Sequence, residues 1–196
     1  LKHLTKRTGE YFDPDINSGH DDEIIEKADN QLNTKDKSFL FLNIMPVHAA
    51  YSFDQKAVDK VMSNRDREKI KKAAKNFSIS EYLSNPKNSE DFFELRKKTY
   101  HASINYVDRQ IKKLYDKAPS DTVFIVLGDH GELIGEHKLE GKRLILHQLG
   151  TYKELVDVPC YIFSKEPINI DLDQEKIYDH RDIIQIIQKG ILNSKP

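Results

Sequence analysis

The stretch TVFIVLGDHG at residues 122–131 decides the fold that the sequence predicts. Its first six residues are a short apolar run, which predicts a buried strand. The next four form a glycine-rich turn that holds Asp129 and His130 side by side. Ligands in open α/β sheets bind beyond the carboxyl ends of the strands, and a carboxylate beside an imidazole can hold a divalent cation. The stretch therefore predicts an α/β fold with a metal-binding turn.

Strand and helix patterns alternate along the rest of the chain. Apolar runs at 38–45 and 158–163 predict two more strands, the first of them buried on both faces. Hydrophobic residues at helical spacing predict a long helix from Ser89 to about Lys117. Asp179 is placed to cap a last helix. This alternation is typical of an α/β layer fold.

Other segments predict irregular structure or surface helices. Residues 1–20 carry turn signals and indicate an irregular lead-in to a helix that Asp21 or Asp22 caps and that runs to about Leu32. Residues 54–88 are polar and helix-prone, which predicts a helical surface insertion whose interleaved charges face solvent. Residues 129–152 are expected to form one long functional loop.

The composition indicates one globular domain with a modest core and a heavily solvated surface. The chain has 196 residues, of which 38% are hydrophobic and 32% charged. Its 31 Lys and Arg nearly balance 32 Asp and Glu, so nothing in the charge suggests a nucleic-acid or anionic membrane partner. No apolar run approaches the roughly 18 residues of a membrane span. The single cysteine, Cys160, forms no internal disulfide, slightly favours a reducing, cytoplasmic compartment and is expected in the core.

Four segments in order resemble the sulfatase branch of the alkaline phosphatase superfamily. They are FLFLNIMPVHAAY at 39–51, YHASINYVD at 100–108, GDHGELIGEH at 128–137 and HQLGTYKELVDVP at 147–159. The resemblance implies a three-layer α/β/α sandwich around a mostly parallel sheet. It also implies a metal-dependent hydrolase that acts on small-molecule or glycan sulfate esters.

The resemblance implies roles for individual residues. Asp129 and His130 match two ligands of one divalent metal, His48 matches a histidine that contacts sulfate and protonates the leaving oxygen, and His147 matches a basic residue beside the sulfate. Three residues are expected to support the turn rather than to bind the metal: Glu132, Glu136 and His137. The remaining histidines are expected to be structural or exposed: His3, His20, His101 and His180.

The chain departs from the family pattern in three respects. The Cys-x-Pro-Ser-Arg sequence is absent, and so is the amino-terminal strand whose paired aspartates complete the family's metal site. We therefore expect a partial sulfatase domain that lacks the formylglycine nucleophile and is inactive alone. The Pro of His-x-Pro-Tyr is replaced in HAAY at 48–51. The imidazole of His130 suits manganese or zinc better than calcium, although the resemblance favours calcium.

Two alternatives to sulfate ester hydrolysis stay open. One is a phosphoesterase, phosphonate monoester hydrolase or phosphotransferase of the same superfamily, because such enzymes share the Asp-His pair. The other is a non-catalytic binding protein that retains the fold.

Overall fold

The computed structural model describes residues 19–32, 38–48, 51, 54–69, 89–147, 150–168, 170, 172–173 and 176–188. The helices are α1 (Gly19–Leu32), α2 (Gln55–Val61), α3 (64–69), α4 (Ser89–Lys117), α5 (Lys153–Val156) and α6 (His180–Ile186). The strands are β1 (Phe124–Leu127), β2 (Leu133–Leu139), β3 (Lys142–Leu146) and β4 (Cys160–Phe163). The predicted mixture of helices and strands is confirmed.

The strands form two antiparallel pairs. β1 pairs with β4, and β2 pairs with β3. Neither pair is parallel, so the mostly parallel sheet is not observed among the described residues. The prediction of one long loop over 129–152 is wrong, because β2 and β3 make a hairpin there. Its two-residue loop has positive φ at both Glu140 (50°) and Gly141 (78°), as in a type I′ turn.

Helix α4 is the element on which α1, α2 and β2 pack, and its predicted bounds are confirmed. Its 29 residues span about 43 Å. One buried cluster joins the helix to α2 and includes Phe93, Val58 and Tyr106. Another joins its second half to α1 through Leu114, Ile25 and Ala28. Helix α4 therefore packs against α2 through one cluster and against α1 through the other.

Helix α1 begins at Gly19, earlier than a cap at Asp21 or Asp22 predicts. Asp22 lies in its first turn instead, where its Oδ1 accepts hydrogen bonds from Tyr106 Oη at 3.1 Å and Gln110 Nε2 at 3.0 Å. These contacts hold α1 on α4. The predicted cap of the last helix is confirmed, since Asp179 and Asp182 form a capping box at α6.

The run at 38–45 is not a strand buried on both faces. It has no strand assignment, and its side chains alternate. Leu40, Leu42 and Ile44 pack toward α1 and α4, whereas Phe39 and Phe41 are 78% and 83% exposed. A nearly continuous apolar run suits a strand covered on both sides, but only one side is covered within the described residues.

Cys160 is exposed rather than in the core. It lies opposite Leu127, which is also exposed, because β1 and β4 pair only with each other within the described structure. The predicted insertion at 54–88 contains α2 and α3, and its residues 70–88 lie outside the described residues, as do 1–18 of the predicted lead-in. No described helix combines the length and the apolar character that a bilayer crossing requires.

Candidate active site

The glycine-rich turn at 128–131 leaves β1 and packs on α5. Gly131 N donates to the Leu155 carbonyl at 2.9 Å. A Cβ atom at position 131 would lie 1.8 Å from the Glu154 carbonyl oxygen. No other residue fits this close approach of two backbones, so glycine is required here for space.

Asp129 and His130 present two donor atoms from this turn. Asp129 is largely exposed, and its Oδ1 accepts the His130 backbone N–H at 2.9 Å. Nδ1 of His130 lies 2.9 Å from the Gly131 carbonyl, which can only accept, so Nδ1 carries the proton. In the neutral ring Nε2 then keeps its lone pair, and it lies 3.7 Å from Asp129 Oδ2.

These two atoms fit one divalent cation. Metal bonds of about 2.0–2.6 Å place neighbouring ligand atoms about 3–4 Å apart, and a hydrogen bond from the second ring nitrogen is typical of a ligating histidine. Across the described residues, no group of three or more His, Cys, Asp or Glu side chains could hold a metal. The turn therefore offers two ligands, an oxygen and a nitrogen.

Three imidazoles, which we call the histidine cluster (His48, His130 and His147), meet beside Asp129. The ring centroid of His147 lies 4.2 Å from that of His130 and 5.4 Å from that of His48. His48 follows the 38–45 segment, His147 follows β3, and His130 follows β1, so three separate segments meet here. His48 and His130 are exposed to solvent. The cluster can donate and accept hydrogen bonds on a ligand that approaches Asp129.

Glu132 turns away from this cluster into the protein. Its Oε1 lies 2.8 Å from Nη2 of Arg96 on α4, and both side chains are more than nine-tenths buried. The same guanidinium lies over the ring of Tyr51 at 5.1 Å. Burial raises the pKa of the Tyr51 hydroxyl, with Arg96 opposing the rise and Glu132 adding to it.

Glu136 and His137 make contacts within the hairpin and with α5. Glu136 accepts a hydrogen bond from the backbone N–H of Ile134. His137 Nε2 donates to Glu154 Oε2 at 2.8 Å, which lowers the pKa of that carboxyl. The His137 ring also stacks on Tyr152, with centroids 4.3 Å apart. His137 therefore ties β2 to α5, the helix that contacts the glycine-rich turn.

His180 is a contact of the turn that sequence reasoning missed. Its Nε2 lies 2.8 Å from the Gly128 carbonyl, which accepts from it, while Gly128 N donates to the Pro159 carbonyl at 3.1 Å. The capping box of Asp179 fixes the start of α6 and so places His180. A histidine directly after a predicted helix cap was the only local signal for this contact.

Comparison with known proteins gives one match. The family model described as Sulfatase matches residues 3–185. No curated protein and no solved structure matches the chain.

Proposed function

The chain belongs to the sulfatase family, and on that premise we propose that the glycine-rich turn and the histidine cluster act together in the hydrolysis of sulfate esters. The observation that carries the proposal is the position of His147, whose ring lies 4.2 Å from that of His130 and 5.4 Å from that of His48. Groups that could transfer a proton thus lie beside groups that could hold a cation.

The proposed chemistry divides between these groups. Asp129 and His130 would hold one divalent cation, calcium or manganese, which when bound would offset negative charge on the ester oxygens. His48 and His147 would contact the sulfate, and His48 would donate a proton to the leaving oxygen. Both protonation states of an imidazole are accessible near neutral pH, which suits this role.

The proposal assigns no nucleophile to these 196 residues, since the sequence contains no Cys-x-Pro-Ser-Arg motif. We also propose that the complete domain has the three-layer α/β/α architecture that the family implies. The proposal also includes a contribution to the site from a further segment of the same domain, because the described residues supply two metal ligands. The substrate class is a small-molecule or glycan sulfate ester.

The test uses the full natural chain that contains this domain. Hydrolysis of 4-nitrocatechol sulfate should disappear after chelation and return with Ca²⁺ or Mn²⁺. His147→Ala should lower kcat/KM by about 10²–10³-fold, and Asp129→Asn should raise the metal concentration needed for half activation. His101→Ala removes an exposed histidine of α4 and should change neither value. Hydrolysis that survives both chelation and His147→Ala would contradict the proposal.

A second candidate function is hydrolysis of phosphate or phosphonate esters, which the imidazole ligand His130 favours. The same preparations should be assayed with 4-nitrophenyl phosphate and 4-nitrophenyl phenylphosphonate. Faster turnover of these esters than of the sulfate would assign the site to phosphoryl chemistry. Metal binding without turnover of any ester would indicate a non-catalytic binding protein.

A further inference from the structure

Arg96 of α4 contacts residues that follow two of the three histidines of the proposed site, His48 and His130. Its Nη2 lies 2.8 Å from Oε1 of Glu132, which directly follows the glycine-rich turn. Its guanidinium also lies over the ring of Tyr51, with 5.1 Å between the carbon and the ring centroid. Tyr51 follows His48 by three residues. One cation therefore touches the segment after His48 and the segment after His130.

This Arg96 cluster (Tyr51, Arg96 and Glu132) lies in the protein interior. Tyr51 and Arg96 are more than nine-tenths buried, as is the side chain of Glu132. Arg96 Nε makes no hydrogen bond with any part of the chain that the structure describes. Buried ion pairs often contribute less stability than apolar side chains of the same volume. Stability alone is therefore a weak reason for a charged pair at this position.

We propose that Arg96 is a positioning residue that sets the separation of His48 from the glycine-rich turn. The inference rests on the proposed function and adds a third element, α4, to the site. By holding Glu132 and the Tyr51 ring on one planar group, Arg96 keeps His48 beside the turn that carries His130, and the ring of His147 contacts both of these histidines there. A shift of about 1 Å in such a group can lower a rate by about a hundredfold.

The main test is the double variant Arg96→Met with Glu132→Leu, made in the full natural chain. It replaces the ion pair with apolar side chains and leaves no buried unpaired charge, so its thermal midpoint should stay close to that of the wild type. Its kcat/KM should fall at least tenfold. The fall should be larger for an alkyl sulfate than for 4-nitrocatechol sulfate, because a basic leaving oxygen needs the proton of His48 more.

A second readout does not need activity. The rings of His48 and His147 are 5.4 Å apart, so nuclear Overhauser contacts between their ring protons should be visible by NMR in the wild type and lost in the double variant. Tyr51→Leu, which removes only the ring and keeps the ion pair, should lose the same contacts while metal affinity is retained. Tyr51→Leu therefore tests the role of Arg96 if the double variant does not fold.

The matched control is the contact that Arg143 makes with the same helix. Arg143 pairs with Glu90 and lies over the Phe93 ring at 4.7 Å, so it joins the hairpin to α4. Arg143→Met with Glu90→Gln should leave kcat/KM within twofold and the NMR contacts unchanged.

The outcomes separate the two proposals. A wild-type protein that hydrolyses neither sulfate ester overturns the proposed function, whatever the variants do. His48–His147 contacts that persist in both variants, or an equal fall in activity on the two esters, overturn the role of Arg96. Loss of those contacts together with an unequal fall supports it.

Discussion

Replacing Gly131 with alanine should destabilise the domain and weaken metal binding together. The new Cβ atom would lie 1.8 Å from the Glu154 carbonyl oxygen, whereas carbon–oxygen contacts are normally about 3.3 Å or longer. The turn and α5 must therefore move apart by about 1.5 Å, and the 2.9 Å hydrogen bond from Gly131 N to Leu155 O is lost. Strain of about 1–3 kcal/mol and a hydrogen bond of about 1 kcal/mol amount to roughly 2–4 kcal/mol.

The assay compares Gly131→Ala with Gly141→Ala, using thermal unfolding and calorimetric titration with Mn²⁺. The first variant should lower Tm by roughly 5–15 °C and weaken metal binding by about 10–100-fold, since the turn carries both proposed ligands. Gly141 has φ of 78° and nothing within 4 Å of a new Cβ atom, so alanine there strains only the backbone, at about 1–2 kcal/mol. Its metal affinity should not change. Wild-type Tm and wild-type affinity in Gly131→Ala would refute the reasoning.

Three further predictions concern stability alone. Burial raises the folded-state pKa of Tyr51, so its contribution to stability is complete below about pH 10 and falls as the pH rises above that value. Tyr51→Phe should remove this loss of stability at alkaline pH, measured as the urea midpoint from pH 8 to 11. A hydrogen bond from Lys98 lowers the pKa of Asp66 to about 2, so the contribution of this pair to stability is complete above about pH 4 and is lost as the pH falls toward 2. This contribution is below about 1 kcal/mol because the pair is near the surface. Lys98→Met should flatten the acid side of the stability profile, and an unchanged profile would show that the pair does not contribute. Glu140 has φ of 50°, and Glu140→Asn should stabilise the hairpin by about 1 kcal/mol, seen as a Tm rise of roughly 2–4 °C; a fall in Tm would show that the turn is not limited by backbone strain.

The elements that the sequence predicts well are those with a long local pattern. Helix α4 repeats its apolar residues over eight turns, so its bounds from Ser89 to Lys117 follow from the sequence. The cap of α6 follows from Asp179 alone, because a capping side chain bonds backbone groups only two or three residues away. In both cases the stabilising contacts lie within the segment that forms the element.

The β2–β3 hairpin is not predicted from the sequence pattern, although the residues of its turn are a local signal for it. Residues 140 and 141 are Glu-Gly, which resembles the Asn-Gly and Asp-Gly pairs of type I′ turns, and they separate two apolar segments. The polar residues of β2, from Glu136 to Lys138, hide the alternation because the strand has an irregular register there. The run at 38–45 misleads for the opposite reason, since a nearly continuous apolar run does not show which face is covered.

The site divides in the same way between what the sequence displays and what only folding reveals. Asp129 and His130 are neighbours in the chain, so the proposal that they share a cation can be made from the sequence alone. The residues that hold the turn are distant from it in sequence: Arg96 is 36 residues from Glu132, and His180 is 52 residues from Gly128. Such contacts leave no periodicity and no motif, because any spacing can bring two elements together once α4 has organised the packing. The donor atoms of Asp129 and His130 can therefore be predicted from the chain, whereas the contacts that hold the turn region, from Arg96 to Glu132 and from His180 to Gly128, appear only once the chain has folded.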